Sequence, residues 1–163
     1  MPEKKTIERA RRDKRQGKSA STQAGEFVRE EIHHVRQGKH GARSTKQAIA
    51  IGLSKARRAG VKLPASKTAS RGTKKQAARD IAKGKRHAKP SPRRSRAMSK
   101  RLKREGHSAT THAALSRQAK QSAKKRGHAD LSRAARKAAR TKGPTVRRQA
   151  AKKAARTRAR HSH

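Results

Sequence analysis

The sequence predicts an all-α protein, a small helical hairpin followed by a basic, partly disordered array of short helices. Three observations lead there. Between residues 22 and 63 the large apolar side chains recur at helical spacing, whereas beyond residue 65 Ala, Lys and Arg dominate and Gly, Ser and Pro punctuate the chain regularly. The hydrophobic fraction is only 29%, and Phe27 is the one aromatic residue, so no core of domain size can form. A buried Leu or Ile contributes roughly 1.5–3 kcal/mol and Ala far less, so the few large apolar residues decide where packing occurs.

Residues 3 to 16 have helix-favouring composition with Ile7 as the large apolar residue, a marginal helix on its own. Gly17 to Thr22 reads as a small-residue linker. From about Thr22 to Gln37, Ala24, Val28, Ile32 and Val35 fall at i, i+4, i+8 and i+11, within about 80° on a helix. Phe27 flanks that stripe and Glu31 intrudes on it. Ser44-Thr-Lys-Gln47 offers a capping box for a second helix, which stops at Gly60 with Pro64 beyond. Its inner face is expected to be Ile49, Gly52, Leu53, Ala56 and Ala59. The connection at residues 38 to 43 suits antiparallel neighbours, and Ala48, Gly52 and Ala56 permit close approach, with Val61 and Leu63 folding back over the open end. At this size a partner, another copy of the chain or the first helix is needed to complete the core. Ile51 points away from the seam, and Ile7 is its expected neighbour.

Beyond Pro64 the expected helices are Thr73 to Lys83, ending at Gly84; Pro92 to Glu105, with Ser91 as N-cap; Thr110 to Arg126, ending at Gly127; Asp130 to Lys142; and a last one after Gly143-Pro144. Each is Ala-rich enough to be helical and too charged to fold unaided. Leu115-Ser116-Arg117 and Leu131-Ser132-Arg133 form a weak internal repeat. The expected organisation is residues 1–21, a basic N-terminal helix and linker; residues 22–64, the hairpin; and residues 65–163, a Lys/Arg/Ala-rich nucleic-acid-binding tail.

Charge sets the functional class. The formal net charge is +41, with 17 Lys or Arg against 6 acids in residues 1 to 65 and 33 against 3 in residues 66 to 163. A chain of this balance needs a polyanion, and nucleic acid is the expected partner. The tail's net +30 can at most match roughly 50 Å of duplex, and counterion release makes such binding steeply salt-dependent. The cations expected to meet phosphate are Lys74, Lys75, Arg79, Arg93, Arg94, Arg96, Lys100, Arg101, Lys103, Arg104, Arg117, Lys120, Lys124, Lys125, Arg126, Arg133, Arg136, Lys137, Arg140, Arg147, Arg148, Lys152, Lys153 and Arg156. Ser91-Pro-Arg-Arg94 has the form of a Ser-Pro-basic-basic turn that enters a narrow A·T minor groove, although Pro92 is equally explained as a helix start. Base stacking lacks its hardware, since Phe27 is alone.

Other chemistries find little support. There is no Cys, which fits a reducing cytosol, and no run is long enough to cross a bilayer, so no membrane partner is expected. The basic start is not followed by the apolar stretch of a signal peptide, which points to a cytoplasmic, nucleoid location. No nucleophile, base and orienting group can be grouped, so the chain is not read as an enzyme and no cofactor is expected. Glu30 and His34 have the i, i+4 spacing of two metal ligands and His40 lies in the adjacent loop, but a polar outer helix face is the simpler reading, and no metal is expected. His161 and His163 read as a frayed terminus. The six-residue connection is longer than the turn of a DNA-reading helix-turn-helix.

The stretch from Glu26 to Pro64, with its KQAIAIGLSKAR segment from Lys46 to Arg57, resembles an uncharacterised family of small basic bacterial proteins loosely labelled plasmid stabilisation proteins. The tail resembles those of histone H1-like bacterial nucleoid proteins in composition. The resemblance implies a bacterial origin and a DNA-related role, and since the family has no established active site it supplies no mechanism. The expected function is therefore non-enzymatic, largely sequence-independent DNA binding by phosphate neutralisation. An RNA- or ribosome-associated basic protein and a plasmid-maintenance component whose hairpin binds a protein, or a second copy of itself, are the alternatives.

Overall fold

The computed structural model describes residues 2–86 and 91–161, and every regular element among them is helical. The elements are α1 (Lys4–Arg15), α2 (Ala20–Arg36), α3 (Thr45–Arg58), α4 (Arg71–Lys85), α5 (Pro92–Lys103), a 3-10 turn (Ser108–Thr110) and α6 (His112–His161). The chain divides into two compact units, residues 1–118 and 119–163.

In the first unit, α2 and α3 form the expected antiparallel hairpin, with α1 packed on α2 and α4 on α3. Local chemistry fixes the helix ends. Ser44 Oγ accepts from Gln47 N–H at 3.2 Å, while Gln47 Oε1 accepts from Arg43 N–H at 2.8 Å, a capping box whose return arm reaches one residue further back than expected. α2 starts two residues before the anticipated Thr22, because Ser19 lies within the presumed linker and accepts from Thr22 N–H at 3.3 Å. Ser70 caps α4 in the same way.

The core is smaller and more polar than the apolar spacing implies. One cluster joins Ala10, Ala24, Phe27, Ala56 and Val61, with Ile7, Ala20, Leu53 and Leu63 against it; a second joins Val35, Ala42, Ala48 and Ala109. Phe27, expected at the edge of the α2 stripe, is 1% exposed at its centre, whereas Val28 and Ile32 are half-buried. Ile7 meets the cluster that includes Leu53, and Ile51 belongs to neither cluster. Ala48, Gly52 and Ala56 are buried as anticipated, and a Cβ at Gly52 would lie 2.7 Å from Val28 Cα, which shows how closely α2 and α3 cross. Val61 and Leu63 fold back over the core, with Arg57 Nε donating to the Leu63 carbonyl at 2.8 Å.

Residues beyond Pro64 take part in packing. The first unit continues to residue 118, past the boundary at 64 and 65 that the change in composition suggests. Asp80 is the physical reason. Only 1% exposed, it accepts from Ser54 Oγ at 2.8 Å and Arg58 Nε at 2.9 Å and fastens α4 to α3. A Cβ on Gly84 would fall 2.3 Å from the Arg57 carbonyl oxygen. The segment around the 3-10 turn closes the other end: Thr45 Oγ1 donates to the Ala109 carbonyl at 2.6 Å and Arg36 Nε to the Thr110 carbonyl at 2.9 Å. The loop before α3 is tied to the end of α5 by Gly41 N–H to Leu102 carbonyl and Ala42 N–H to Gly106 carbonyl, both 2.9 Å. There a side chain at position 41 would overlap the Glu105 carbonyl.

The second unit is the greater part of α6, which is interrupted at Gly127 (φ 74°, ψ 164°) and Gly143 (φ 68°, ψ 171°). Both glycines stand where the sequence predicts helix ends, in a backbone region that residues with a Cβ rarely enter.

Candidate nucleic-acid interface

With nine acids in the chain, the structure spends most of them on holding helices together. Glu26 pairs with Arg9 at 2.8 Å across α2 and α1, Glu31 with Lys55 at 2.5 Å across α2 and α3, and Asp80 with Arg58 across α4 and α3. Glu3, just before α1, meets His34 of α2 at 2.7 Å and Lys39 at 3.3 Å; the His34 hydrogen bond first, then Lys39, holds its carboxyl below the usual carboxylate value. Asp13 holds Lys18 at 2.7 Å. Inter-helix pins of this kind stand in for missing apolar area, and they leave few anions on the outer surface.

All 24 cations expected to meet phosphate are exposed. Lys74, Lys75 and Arg79 lie on α4 and project away from its buried Ala77, Asp80 and Gly84. Arg93, Arg94, Arg96, Lys100, Arg101 and Lys103 lie on α5, and Arg104 follows its last turn. Arg93, Arg96, Lys100 and Lys103 share one face by spacing, and a shallow groove there is lined by Ser95, Arg96, Ser99, Lys100 and Lys103. Ser91-Pro-Arg-Arg94 is the start of α5, with Pro92 in its first turn, so the structure gives this segment a helix-initiating role rather than that of a free groove-binding turn.

The remaining cations, from Arg117 to Arg156, lie on α6. Its segment 128–142 aligns Arg133, Arg136, Lys137 and Arg140 at i, i+3, i+4 and i+7, and segment 144–161 aligns Arg148, Lys152 and Arg156 at i, i+4 and i+8. Asp130 is the single acid of the second unit. Expected to begin its helix, it lies inside its segment, accepting from Arg126 Nε at 2.6 Å and facing Arg133 at 3.7 Å. The Arg126 hydrogen bond is the main cause that holds its carboxyl below the usual Asp value. Residues 119 to 163 thus set sixteen Lys or Arg against one acid, on helices with no apolar face.

Sequence reasoning weighed Glu30, His34 and His40 together as metal ligands and missed Glu31. Glu31, His34 and His40 each bring a donor atom within 4.8 Å of the other two, around the end of α2 and the loop that follows. The signal was the charge at position 31 on the apolar stripe, since a carboxylate buried there must be partnered. The i, i+4 pair Glu30 and His34 is adjacent, with Glu30 Oε1 4.0 Å from His34 Nδ1. His163 lies outside the described residues.

Residues 3–67 match the model of a family of unknown function, DUF6496. The matched span takes in α1 to α3 with their acidic pins and ends before α4. No curated protein and no solved structure is similar enough to match. Among the described residues, no helix is long and apolar enough to cross a membrane.

Proposed function

We propose that the protein binds nucleic acid, DNA ahead of RNA, without enzymatic activity and with little regard for sequence, as a nucleoid protein does. The supporting observation is the cationic surface of residues 66 to 163, whose 33 Lys or Arg face 3 acids, two of them committed to ion pairs within the chain. Such a surface neutralises phosphates and releases condensed counterions, and phosphate contacts carry no base information. In the first unit α5 carries its cations on an ordered fold, and the second unit carries those of α6. DNA is placed ahead of RNA because the stacking aromatics of single-strand and RNA readers are missing from the sequence.

Binding isotherms at several salt concentrations, with A·T-rich, G·C-rich and structured RNA competitors, test this reading. Log affinity is expected to fall linearly with log salt at a slope far steeper than minus one, and the duplex competitors to displace one another almost equally. A shallow slope, or strong preference for one RNA, overturns it.

A further inference from the structure

The end of α2 carries polar chemistry that phosphate binding does not use. Each imidazole of the Glu31, His34 and His40 cluster has one nitrogen engaged from outside: His34 Nε2 lies 2.7 Å from Glu3 Oε1, and His40 Nδ1 lies 3.1 Å from the Gly41 carbonyl oxygen. Acceptors at those positions require N–H there, and the neutral ring then keeps its lone pair on the other nitrogen. His34 Nδ1 and His40 Nε2 are therefore left to face carboxylates, at 4.0 Å from Glu30 Oε1 and 3.3 Å from Glu31 Oε1.

Those two oxygens are the second observation. Glu31 is 0% exposed and Glu30 4%, yet Oε1 of each is buried and accepts no hydrogen bond. An unsatisfied buried carboxylate oxygen is costly, and a ring nitrogen aimed at it demands that a proton or a metal ion lie between them. Lys55 answers only part of the demand: its ammonium holds Glu31 Oε2 at 2.5 Å and stays 3.9 Å from Glu30 Oε1.

We propose that Glu31 Oε1, His34 Nδ1 and His40 Nε2 bind a divalent transition-metal ion, its fourth position left to water. Two imidazoles with carboxylate oxygen suit zinc. Glu3 and the Gly41 carbonyl take the outer-shell role of fixing each imidazole's tautomer and raising its basicity. Lys55 keeps Glu31 monodentate by occupying its second oxygen. Bound metal would clamp the loop carrying His40 onto α2, beside the Gly41 and Ala42 hydrogen bonds to residues 102 and 106.

The test is a cobalt(II) titration of the full chain, read by visible absorption, with His161→Ala and His163→Ala introduced to remove the terminal histidines. One equivalent is expected to produce the intense bands of a four-coordinate site, and zinc to abolish them. His40→Ala, a loop change outside both apolar clusters, is expected to weaken binding at least ~10-fold while the helical circular dichroism is kept. His33→Ala, the exposed neighbour, is expected to leave binding unchanged. Absence of the bands, or bands that persist with unchanged affinity in His40→Ala, overturns the proposal.

Discussion

Replacing Arg133, Arg136, Lys137 and Arg140 with glutamine removes one aligned cationic face of α6 and, with it, only the exposed contacts of Arg133 with Asp130 and Arg136 with Ser132 inside the same helix. All four side chains are exposed, and glutamine has nearly the helix propensity of Lys and Arg. The face spans seven residue steps, ~10 Å along the helix. Duplex DNA carries one charge per ~1.7 Å, so roughly six phosphates lie within that length and each cation can find one. At about 0.9 of salt slope per neutralised phosphate, the variant loses ~1.8 from the log–log slope if half the face makes contact and ~3.6 if all of it does. Between about 50 and 200 mM salt, the wild-type affinity then falls by a factor ~10 to ~150 larger than the variant's. Fluorescence anisotropy of a short labelled duplex over that range measures the slope, with circular dichroism to confirm unchanged helix. A slope equal to wild type refutes the assignment of this face to phosphate.

Packing in the first unit is open to sharper substitutions. Gly52→Ala sets a Cβ against Val28 backbone and is expected to cost roughly 1–3 kcal/mol in urea denaturation, whereas Gly72→Ala, with open space around it in α4, is expected to stabilise by about 0.4–1 kcal/mol. Asp80→Asn weakens the anchor to Arg58 and Ser54 and is expected to cost roughly 1–3 kcal/mol, with amide exchange accelerated in α4 ahead of α1 and α2; uniform acceleration would mean that α4 is not separately held. Because Arg126 depresses the Asp130 carboxyl, NMR titration should place its midpoint below 3.8; the local stabilisation is present above the unfolded value and disappears as pH falls through the lower folded one. Asp130→Asn should abolish that pH dependence.

The hairpin was legible because its signals are local. Ser44 and Gln47 announce a cap, Gly60 a stop, and Ala48, Gly52 and Ala56 a close crossing, and each acts within a few residues of itself. The α2 face came out rotated because apolar size was read as burial, whereas the structure buries Phe27 and Glu31 and leaves Val28 and Ile32 half-buried. In a chain short of apolar residues, partnered carboxylates take core positions, and their partners lie far away in sequence. Lys55 is 24 residues from Glu31, and Arg58 is 22 from Asp80. For the same reason the change in composition at residue 65 hid the packing of α4: one Asp among many cations carries the contact, and no periodicity marks it. At the Glu31 cluster, sequence spacing pointed to Glu30 and His34 with His40 in the adjacent loop, but only the fold brings Glu31 into the group.

Under the proposed binding, the two glycines that interrupt α6 decide what shape of polyanion it can follow. A straight 50-residue helix would be a rod ~75 Å long, and a rod of that length meets a curved or coiled strand along a tangent, with most of its charge held off the target. Breaks at Gly127 and Gly143 replace it with pieces of ~22 to ~27 Å, each shorter than the ~34 Å repeat of duplex DNA. Pieces of that length can each settle into a single stretch of groove and change direction before the backbone turns away. The joints sit at φ 74° and 68°, which alanine rarely adopts, so the interruptions are written into the backbone and do not depend on a bound partner to create them. Contact with a bent duplex is then limited by the number of pieces and their spacing, as links limit how tightly a chain can wrap a drum.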